Sequence, residues 1–384
     1  MDVKKERLGG VDLFRVISMF MVVVLHVNGI GGVLRNPANK ALSPLWFTSS
    51  IINIFCIIAV NCFALITGFV NVGKKVKIKN LLNLWLQAFF ISVVAFAVKV
   101  GLKEEVFSIP LLVKSMLPVM FNEWWYFTAY FLLFFFIPIL NCAMEKYSKV
   151  GMGILIIVLG VIFCGIGFLS PYDVFGLING YSFLWLAYLY LVGAYIKKYN
   201  LKIKINGKPI KSGYYLLGWL LISCLHLAIS MVYSYLNSWT KVPVQSNYLF
   251  ILNVLSAVLL LLYFANINVK SSKTLSFFSS TTFGVYLIHM AIGVTDKFAF
   301  LLNYHWIVTV IGVFACAIAL YLGCTFLEYL RQLLFKACKI PQLTQKMQDG
   351  LLSVYEKIKA KYDLEEDGDN NSSVEIKLEE IKQV

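Results

Sequence analysis

The sequence predicts an all-α fold, a polytopic integral membrane helical bundle with about ten transmembrane helices. Of its 384 residues, 59% are hydrophobic and only 14% are charged, and its mean hydropathy is +0.76. Soluble domains carry about 25% charged residues. Long apolar runs recur from residue 11 to residue 335, and one helical span needs about 20 apolar residues. This pattern disfavours a soluble enzyme, a nucleic-acid-binding domain and a disordered protein.

Ten apolar segments give the predicted spans. The sixth and ninth are short, so we expect them to tilt or to extend at their ends. A basic N-terminus followed by an apolar run is also typical of a signal peptide, but Asp12, Arg15 and His26 lie within the first run and favour an uncleaved span. The segments are residues 11–33, 46–72, 81–101, 124–141, 151–169, 181–196, 214–236, 248–266, 281–295 and 305–334.

The lysines and arginines of the connecting segments predict the orientation of the chain. With the N-terminus inside, the inner segments hold 17 of these residues and the outer segments hold 6, and positive charge accumulates on the cytoplasmic side of membranes. The formal net charge of +14 therefore indicates topology rather than nucleic acid. We expect a multi-pass cell-membrane protein with both termini cytoplasmic. The inner residues are Lys4, Lys5, Arg7, Lys74, Lys75, Lys77, Lys79, Lys146, Lys149, Lys197, Lys198, Lys202, Lys204, Lys208, Lys211, Lys270 and Lys273, and the outer ones are Arg35, Lys40, Lys103, Lys114, Lys241 and Lys297.

Composition also predicts two regions. Residues 1–340 are expected to form the transmembrane domain, and residues 341–384 a polar cytoplasmic tail with a helical pattern that frays in the acidic stretch 365–373. The eight cysteines are scattered in or beside apolar runs without a CxxC motif, so we interpret them as small buried hydrophobes. With four histidines and no cluster of histidine and cysteine, no metal site is expected.

The first span carries the sharpest functional signal. Ionisable groups inside a span cost several kcal/mol and are functional hypotheses by default. At about 100° per residue, His26 lies only about 20° around the helix from Arg15, about 16 Å further along its axis. Asp12 shares this stripe, which predicts a cavity-lining face. The alternatives are an i, i+3 salt bridge between Asp12 and Arg15 at the helix entrance and a packing role for His26.

Four pieces of sequence, taken in order, resemble the membrane-bound acyltransferase-3 family over about residues 8–335. They are the Arg-x10-His pattern of residues 15–26, the second-span ending Phe63-Ala-Leu-Ile-Thr-Gly-Phe69, the aromatic opening Glu123-Trp-Trp-Tyr-Phe-Thr-Ala-Tyr130 and the ninth-span segment Ser280-Thr-Thr-Phe-Gly-Val-Tyr-Leu-Ile-His289. The resemblance implies an integral-membrane O-acyltransferase. Such an enzyme would move an acetyl or other acyl group from cytoplasmic acyl-CoA to a hydroxyl of a cell-surface or lipid-linked polysaccharide.

The resemblance also implies residue roles. His26 would act as the general base or carry the acyl group transiently, and Arg15 would bind the coenzyme's phosphates or its thioester carbonyl. Some members carry paired arginines after the second span where this chain has lysines, which lack the bidentate fork of arginine. A purely topological role for these lysines is the alternative. The expected donor-binding lysines are Lys74, Lys75, Lys77 and Lys79.

The acceptor is expected to bind at the outer side. Glu123 could orient His26 or hold a sugar hydroxyl, and His289 falls at a depth like that of His26. An aromatic belt at the membrane interface and a packing histidine are the alternative interpretations. Asn61 and Gln87 are interpreted as hydrogen-bonding glue between helices. The expected acceptor-binding residues are Glu123, Trp124, Trp125, Tyr126 and His289.

These observations favour an enzyme over two other functions. A transporter or flippase for a small metabolite or glycan lipid could use the charged stripe as its pathway, and a membrane sensor could signal through the tail. Transporters commonly consist of two similar halves with broken spans, and the sequence shows neither. The expected partners are the acyl-CoA donor, the glycan acceptor and membrane lipid, with no nucleic acid and no bound cofactor.

Overall fold

The computed structural model describes residues 8–170, 172–237 and 247–369. Several predictions concern residues outside these ranges. They are the charges of Lys4, Lys5, Arg7 and Lys241, and the tail beyond residue 369.

The described chain is mostly helical, with almost no strands. Its one hairpin pairs Lys204–Ile205 with Lys208–Pro209 across a turn at Asn206 and Gly207, which both have positive φ as a tight two-residue turn requires. The helices are α1 (Gly9–Asn28), α2 (Pro44–Ile57), α3 (Ala59–Asn71), α4 (Ile78–Gly101), α5 (Ile109–Met116), α6 (Trp125–Lys146), α7 (Lys149–Val161), α8 (Gly167–Leu169), α9 (Phe183–Lys198), α10 (Ser212–Leu236), α11 (Ile251–Asn266), α12 (Lys273–Ala291), α13 (Trp306–Ala337) and α14 (Ile340–Asp369).

The predicted class, a helical membrane bundle, is confirmed. Each of the ten predicted spans coincides with a helical segment. Seven of the described segments are long and apolar enough to cross a membrane, so the count of ten stays a prediction. The seven are Gly9–Asn28, Pro44–Asn71, Ile78–Gly101, Trp125–Lys146, Lys149–Leu169, Ser212–Leu236 and Trp306–Ala337.

The boundaries of several segments differ from the sequence prediction. The first helix ends at Asn28 rather than residue 33, and the second and ninth segments differ for identifiable reasons. The ninth segment begins at Lys273 instead of residue 281, because Ser272 caps the helix by accepting from the backbone N–H of Leu275 at 3.0 Å. Its first turns are rich in serine and threonine, which lowers the hydropathy that the prediction followed. The second segment is two helices, because the chain is interrupted at Ile58.

Helices α1 and α12 run side by side in the same direction. Ser279 contacts Arg15 near the start of both helices, and His289 contacts His26 near their ends. The loops that follow the two helices are also joined, because Ile30 O accepts from the N–H of Asp296 at 2.9 Å. This pair of helices places the predicted stripe of α1 against α12.

Glycines allow the closest helix contacts. A Cβ added at Gly68 of α3 would collide with the Tyr190 carbonyl of α9, and one at Gly193 would collide with the Leu65 carbonyl. Small residues let backbones approach where lipid offers no hydrophobic drive between helices. Asn61 adds polar glue here, accepting from Trp185 Nε1 at 3.0 Å, as the sequence predicts.

The described chain divides into two compact units. The first comprises Met1–Val76 and Gln87–Arg331 and contains α1, α12 and every contact described above. The second comprises Lys77–Leu86 and Gln332–Val384. Within the second unit, Thr344 Oγ1 donates to Asn83 Oδ1 at 2.9 Å and Lys79 Nζ donates to Gln345 Oε1 at 2.7 Å.

Candidate functional site

One end of the α1 stripe is a three-residue polar cluster. Arg15 Nη1 donates to Asp12 Oδ1 at 3.0 Å and to Ser279 Oγ at 3.0 Å, and Ser279 Oγ donates to the same Asp12 oxygen at 2.9 Å. The salt bridge that sequence reasoning offered as an alternative is therefore present. Ser279 extends it to a second helix, so the bridge also fixes the Arg15 guanidinium against α12. The side chain of Asp12 is buried, whereas that of Arg15 is 25% exposed.

The other end of the stripe is a pair of histidines. His26 Nδ1 lies 2.8 Å from His289 Nε2, and His289 Nδ1 lies 2.7 Å from the carbonyl oxygen of Val285. His289 is fully buried and His26 is half-buried. The structure thus places His289 at the depth that the sequence predicts, in direct contact with His26.

Aromatic side chains lead away from the histidine pair. The Tyr286 ring centroid lies 6.2 Å from that of His289 and 6.2 Å from that of Tyr126. Trp125 lies 4.4 Å from Tyr181 between ring centroids. Two of the predicted acceptor-binding residues, Trp125 and Tyr126, are therefore in this group. We call this group of side chains the aromatic cluster. Its members are Trp125, Tyr126, Tyr181, Tyr248 and Tyr286.

Glu123 and Trp124 lie in a different place. Glu123 Oε2 is 3.7 Å from Lys114 Nζ, and both residues line a cavity of about 120 Å³ together with Trp124 and Lys99. Trp124 is 3% exposed. The hydrogen-bonding partner on the Nδ1 side of His26 is His289, and an orienting role of Glu123 toward His26 stays a prediction.

The predicted lysine cluster is divided between the two compact units. Lys74 and Lys75 are exposed just after α3 in the first unit, where Asn141 donates to the carbonyl oxygen of Lys74 at 3.2 Å. Lys77 and Lys79 belong to the second unit. The contact of Lys79 with Gln345 gives that lysine a structural role there.

A second cavity, of about 330 Å³, lies where α1 begins and α3, α9 and α11 end. Sequence reasoning missed it, because its walls come from four helix ends that are far apart in the chain. Lys197, one of its lining residues, holds its ammonium 5.0 Å from the Phe69 ring centroid. The cavity is lined by Leu8, Phe69, Ile196, Lys197, Asn200, Leu201, Leu262, Ala265 and Asn266.

Other residues near the stripe also escaped sequence reasoning. Ser279 and Tyr286 look like ordinary residues of a polar span, and only their contacts with Arg15 and His289 reveal them. No local pattern marks these residues, because each acquires its neighbour through the packing of distant helices.

The fold and this site define a multi-pass membrane protein with a fixed guanidinium and a histidine pair on one helix interface. Residues 8–327 match the model of the acyltransferase-3 family, which describes an acyltransferase domain. The chain belongs to this family and is a membrane acyltransferase, as the resemblance of its four sequence pieces implies. No curated protein matches the sequence, and no solved structure matches the fold.

Proposed function

We propose that this protein is an O-acetyltransferase that moves the acetyl group of cytoplasmic acetyl-CoA to a hydroxyl of a cell-surface or lipid-linked polysaccharide. The observation that carries the proposal is the α1–α12 interface. It holds Arg15 at one end and the His26–His289 pair at the other. A cation for phosphates and an imidazole for proton transfer thus share one helix interface.

The chemistry assigned to His26 is general base catalysis. His26 accepts the proton of the acceptor hydroxyl while the hydroxyl oxygen attacks the thioester carbonyl carbon. The C–S bond then breaks, the acetyl group stays on the acceptor oxygen, and the departing coenzyme A sulfur takes the proton from His26. Histidine suits this role because its unperturbed pKa lies near neutral pH. Transient attachment of the acetyl group to His26 is the alternative route.

The donor is proposed to enter along α1 from the end where that helix begins. The 330 Å³ cavity has the size of a small-molecule site and combines apolar side chains with Lys197, Asn200 and Asn266, which suits an anionic, aromatic nucleotide. Lys74 and Lys75 would add attraction for its phosphates. Arg15 lies about 16 Å from His26 along the helix, so we assign Arg15 to the phosphates rather than to the reacting carbonyl. The flexible thioester arm would cover the remaining distance.

The acceptor is proposed to bind at the aromatic cluster. One member, Tyr286, lies beside His289, and Tyr248 and Tyr286 are only 4% and 9% exposed. Rings in such an interior position differ from an aromatic belt, which would face the membrane interface. Aromatic faces present an apolar surface with polar edges, which suits the two-sided chemistry of a sugar ring. Glu123 and Trp124 would contact a longer glycan further from His26.

The directions of the helices agree with ten alternating spans, and the basic residues of the connecting segments favour a cytoplasmic N-terminus. Helices α3 and α9 run parallel, since Asn61 meets Trp185 and Phe69 meets Lys197. These directions, like those of α1 and α12, are the ones that ten alternating spans require. With the orientation that the 17-to-6 distribution of basic residues favours, the 330 Å³ cavity would open at the cytoplasmic side.

The test uses membranes that contain the protein. Labelled acetyl-CoA and an extracted glycan fraction are added to them. We expect His26→Ala and His26→Gln to abolish label transfer to the glycan while coenzyme A binding, measured directly, stays unchanged. Arg15→Ala should lose that binding. His305→Gln, at an exposed histidine, is the matched control and should keep full activity.

The pattern of losses discriminates between functions. Glutamine keeps hydrogen bonding but takes no proton, so an active His26→Gln protein would refute proton transfer and favour the transporter or flippase. Label that accumulates on the wild-type protein without acceptor, and not on His26→Ala, would establish the covalent route.

A further inference from the structure

We propose that His289 is a positioning residue that holds the hydrogen of His26 on Nδ1, so that His26 Nε2 is the atom that takes the acceptor's proton. The protonation pattern follows from two hydrogen bonds and from the burial of His289. The catalytic role of His26 Nε2 rests on the proposed function.

The pattern starts at a backbone carbonyl. Val285 O can only accept, so His289 Nδ1, which lies 2.7 Å away, carries a hydrogen. His289 is 0% exposed, and a buried imidazolium is costly. The ring is therefore neutral, and its Nε2 holds a lone pair and no hydrogen.

The pattern continues across the helix interface. His289 Nε2 lies 2.8 Å from His26 Nδ1, and such a contact needs one hydrogen. Since His289 Nε2 has none, His26 Nδ1 must donate it, and the lone pair of neutral His26 is then on Nε2. The ring centroids are 5.0 Å apart and the planes differ by 24°. The two nitrogens therefore lie on facing edges, in the geometry of a hydrogen bond.

This arrangement gives His289 a function that packing alone would not. An imidazole without such a partner can carry its hydrogen on either nitrogen. Only a hydrogen on Nδ1 of His26 leaves the lone pair on Nε2, on the side of the ring away from α12. A base that is oriented by a third group is the general logic of activated catalytic sites. Here the third group is a neutral histidine, anchored by the backbone of its own helix through Val285.

Nitrogen-15 NMR of the detergent-solubilised, histidine-labelled protein tests the pattern directly. The chain has four histidines, so single glutamine substitutions at His226, His305 and His289 assign the His26 signals by elimination. We expect a protonated, pyrrole-like Nδ1 and a pyridine-like Nε2 for His26 in the wild type. His289→Gln keeps an oxygen acceptor near the former Nε2 position and should preserve the His26 signals, with most of the activity. His289→Leu should lose the pattern and reduce turnover about a hundredfold, within the usual contribution of general base catalysis, with coenzyme A binding unchanged.

The outcomes separate this inference from the proposed function. A wild-type His26 with its hydrogen on Nε2, or a fully active His289→Leu protein, would overturn the role of His289 even if His26→Ala is inactive. A wild-type protein that transfers no acyl group would overturn the proposed function and leave the protonation pattern intact. If His289→Leu does not fold, the wild-type spectrum and the His289→Gln protein still test the role of His289.

Discussion

Two carboxylate–arginine pairs with the same spacing show how differently one sequence motif can be used. Asp12 and Arg15 on α1, and Glu328 and Arg331 on α13, are both i, i+3 pairs inside apolar segments. Glu328 binds Arg331 through two nitrogens, at 2.7 and 2.6 Å. The Arg15 side chain is 25% exposed and that of Arg331 is 11% exposed.

The two pairs also differ in the residue that hydrogen-bonds to each carboxylate from another helix. Gln87 of α4 donates to Glu328 Oε2 at 3.1 Å, and Gly284 of α12 passes so close that a Cβ there would collide with the Glu328 side chain. That network joins α4, α12 and α13, so we interpret it as structural. The α1 pair is bridged instead by a serine of α12, ten residues before His289. Helix α12 therefore touches both pairs, and the comparison predicts that one supports the fold and the other donor binding.

The largest expected effect is a loss of stability in Glu328→Ala. The substitution leaves Arg331 buried without its carboxylate, and breaking a buried pair in this way costs about 3–5 kcal/mol. Thermal unfolding in detergent measures the effect. Glu105→Ala is the control, because the half-exposed Lys99–Glu105 contact at 3.5 Å should contribute at most about 1 kcal/mol. Equal destabilisation by both variants would contradict the structural role of the α13 pair.

Gly284→Ala should destabilise the protein by about 1–3 kcal/mol, the usual cost of overpacking. Its Cβ would press on Glu328, whose side chain is held by Gln87 and Arg331. Gly323→Ala on α13 is the matched control, since nothing lies within 4 Å of the added Cβ and alanine is the better helix former. The same unfolding assay compares them. An equally stable Gly284→Ala protein would show that α12 does not depend on this contact.

Ser279→Ala should have the smallest effect on stability, about 1 kcal/mol for the hydrogen bonds lost, and a clearer effect on donor binding. Without the hydroxyl, Arg15 is no longer fixed against α12, so coenzyme A should bind about fivefold more weakly, which corresponds to about 1 kcal/mol. Direct coenzyme A binding measures it. Ser280→Ala removes the exposed neighbouring hydroxyl, which bonds Phe277 O within the helix, and should bind normally. Unchanged binding in Ser279→Ala would separate the serine from the donor site.

The parts of the site that lie on α1 could be predicted from the sequence. The stripe of Asp12, Arg15 and His26 follows from helical periodicity, which is a local property. The common depth of His26 and His289 follows from the alternating direction of the spans. Neither principle could choose between the roles weighed for the Asp12–Arg15 pair. The structure shows a salt bridge that also fixes Arg15 against α12 through Ser279, and donor binding by Arg15 stays a prediction.

The sequence by itself determined the fold class, the approximate places of the helical segments and the charged face of α1, because hydropathy and periodicity act over neighbouring residues. Only the tertiary structure decided that α1 lies against α12, that His289 bonds His26 across 263 positions, and that four helix ends enclose a cavity around Lys197. The physical reason is the solvent. Lipid tails are as apolar as the side chains that face them, so hydropathy does not specify which helices become neighbours. That choice is made by close glycine contacts and by hydrogen bonds between polar groups that have no water to bind.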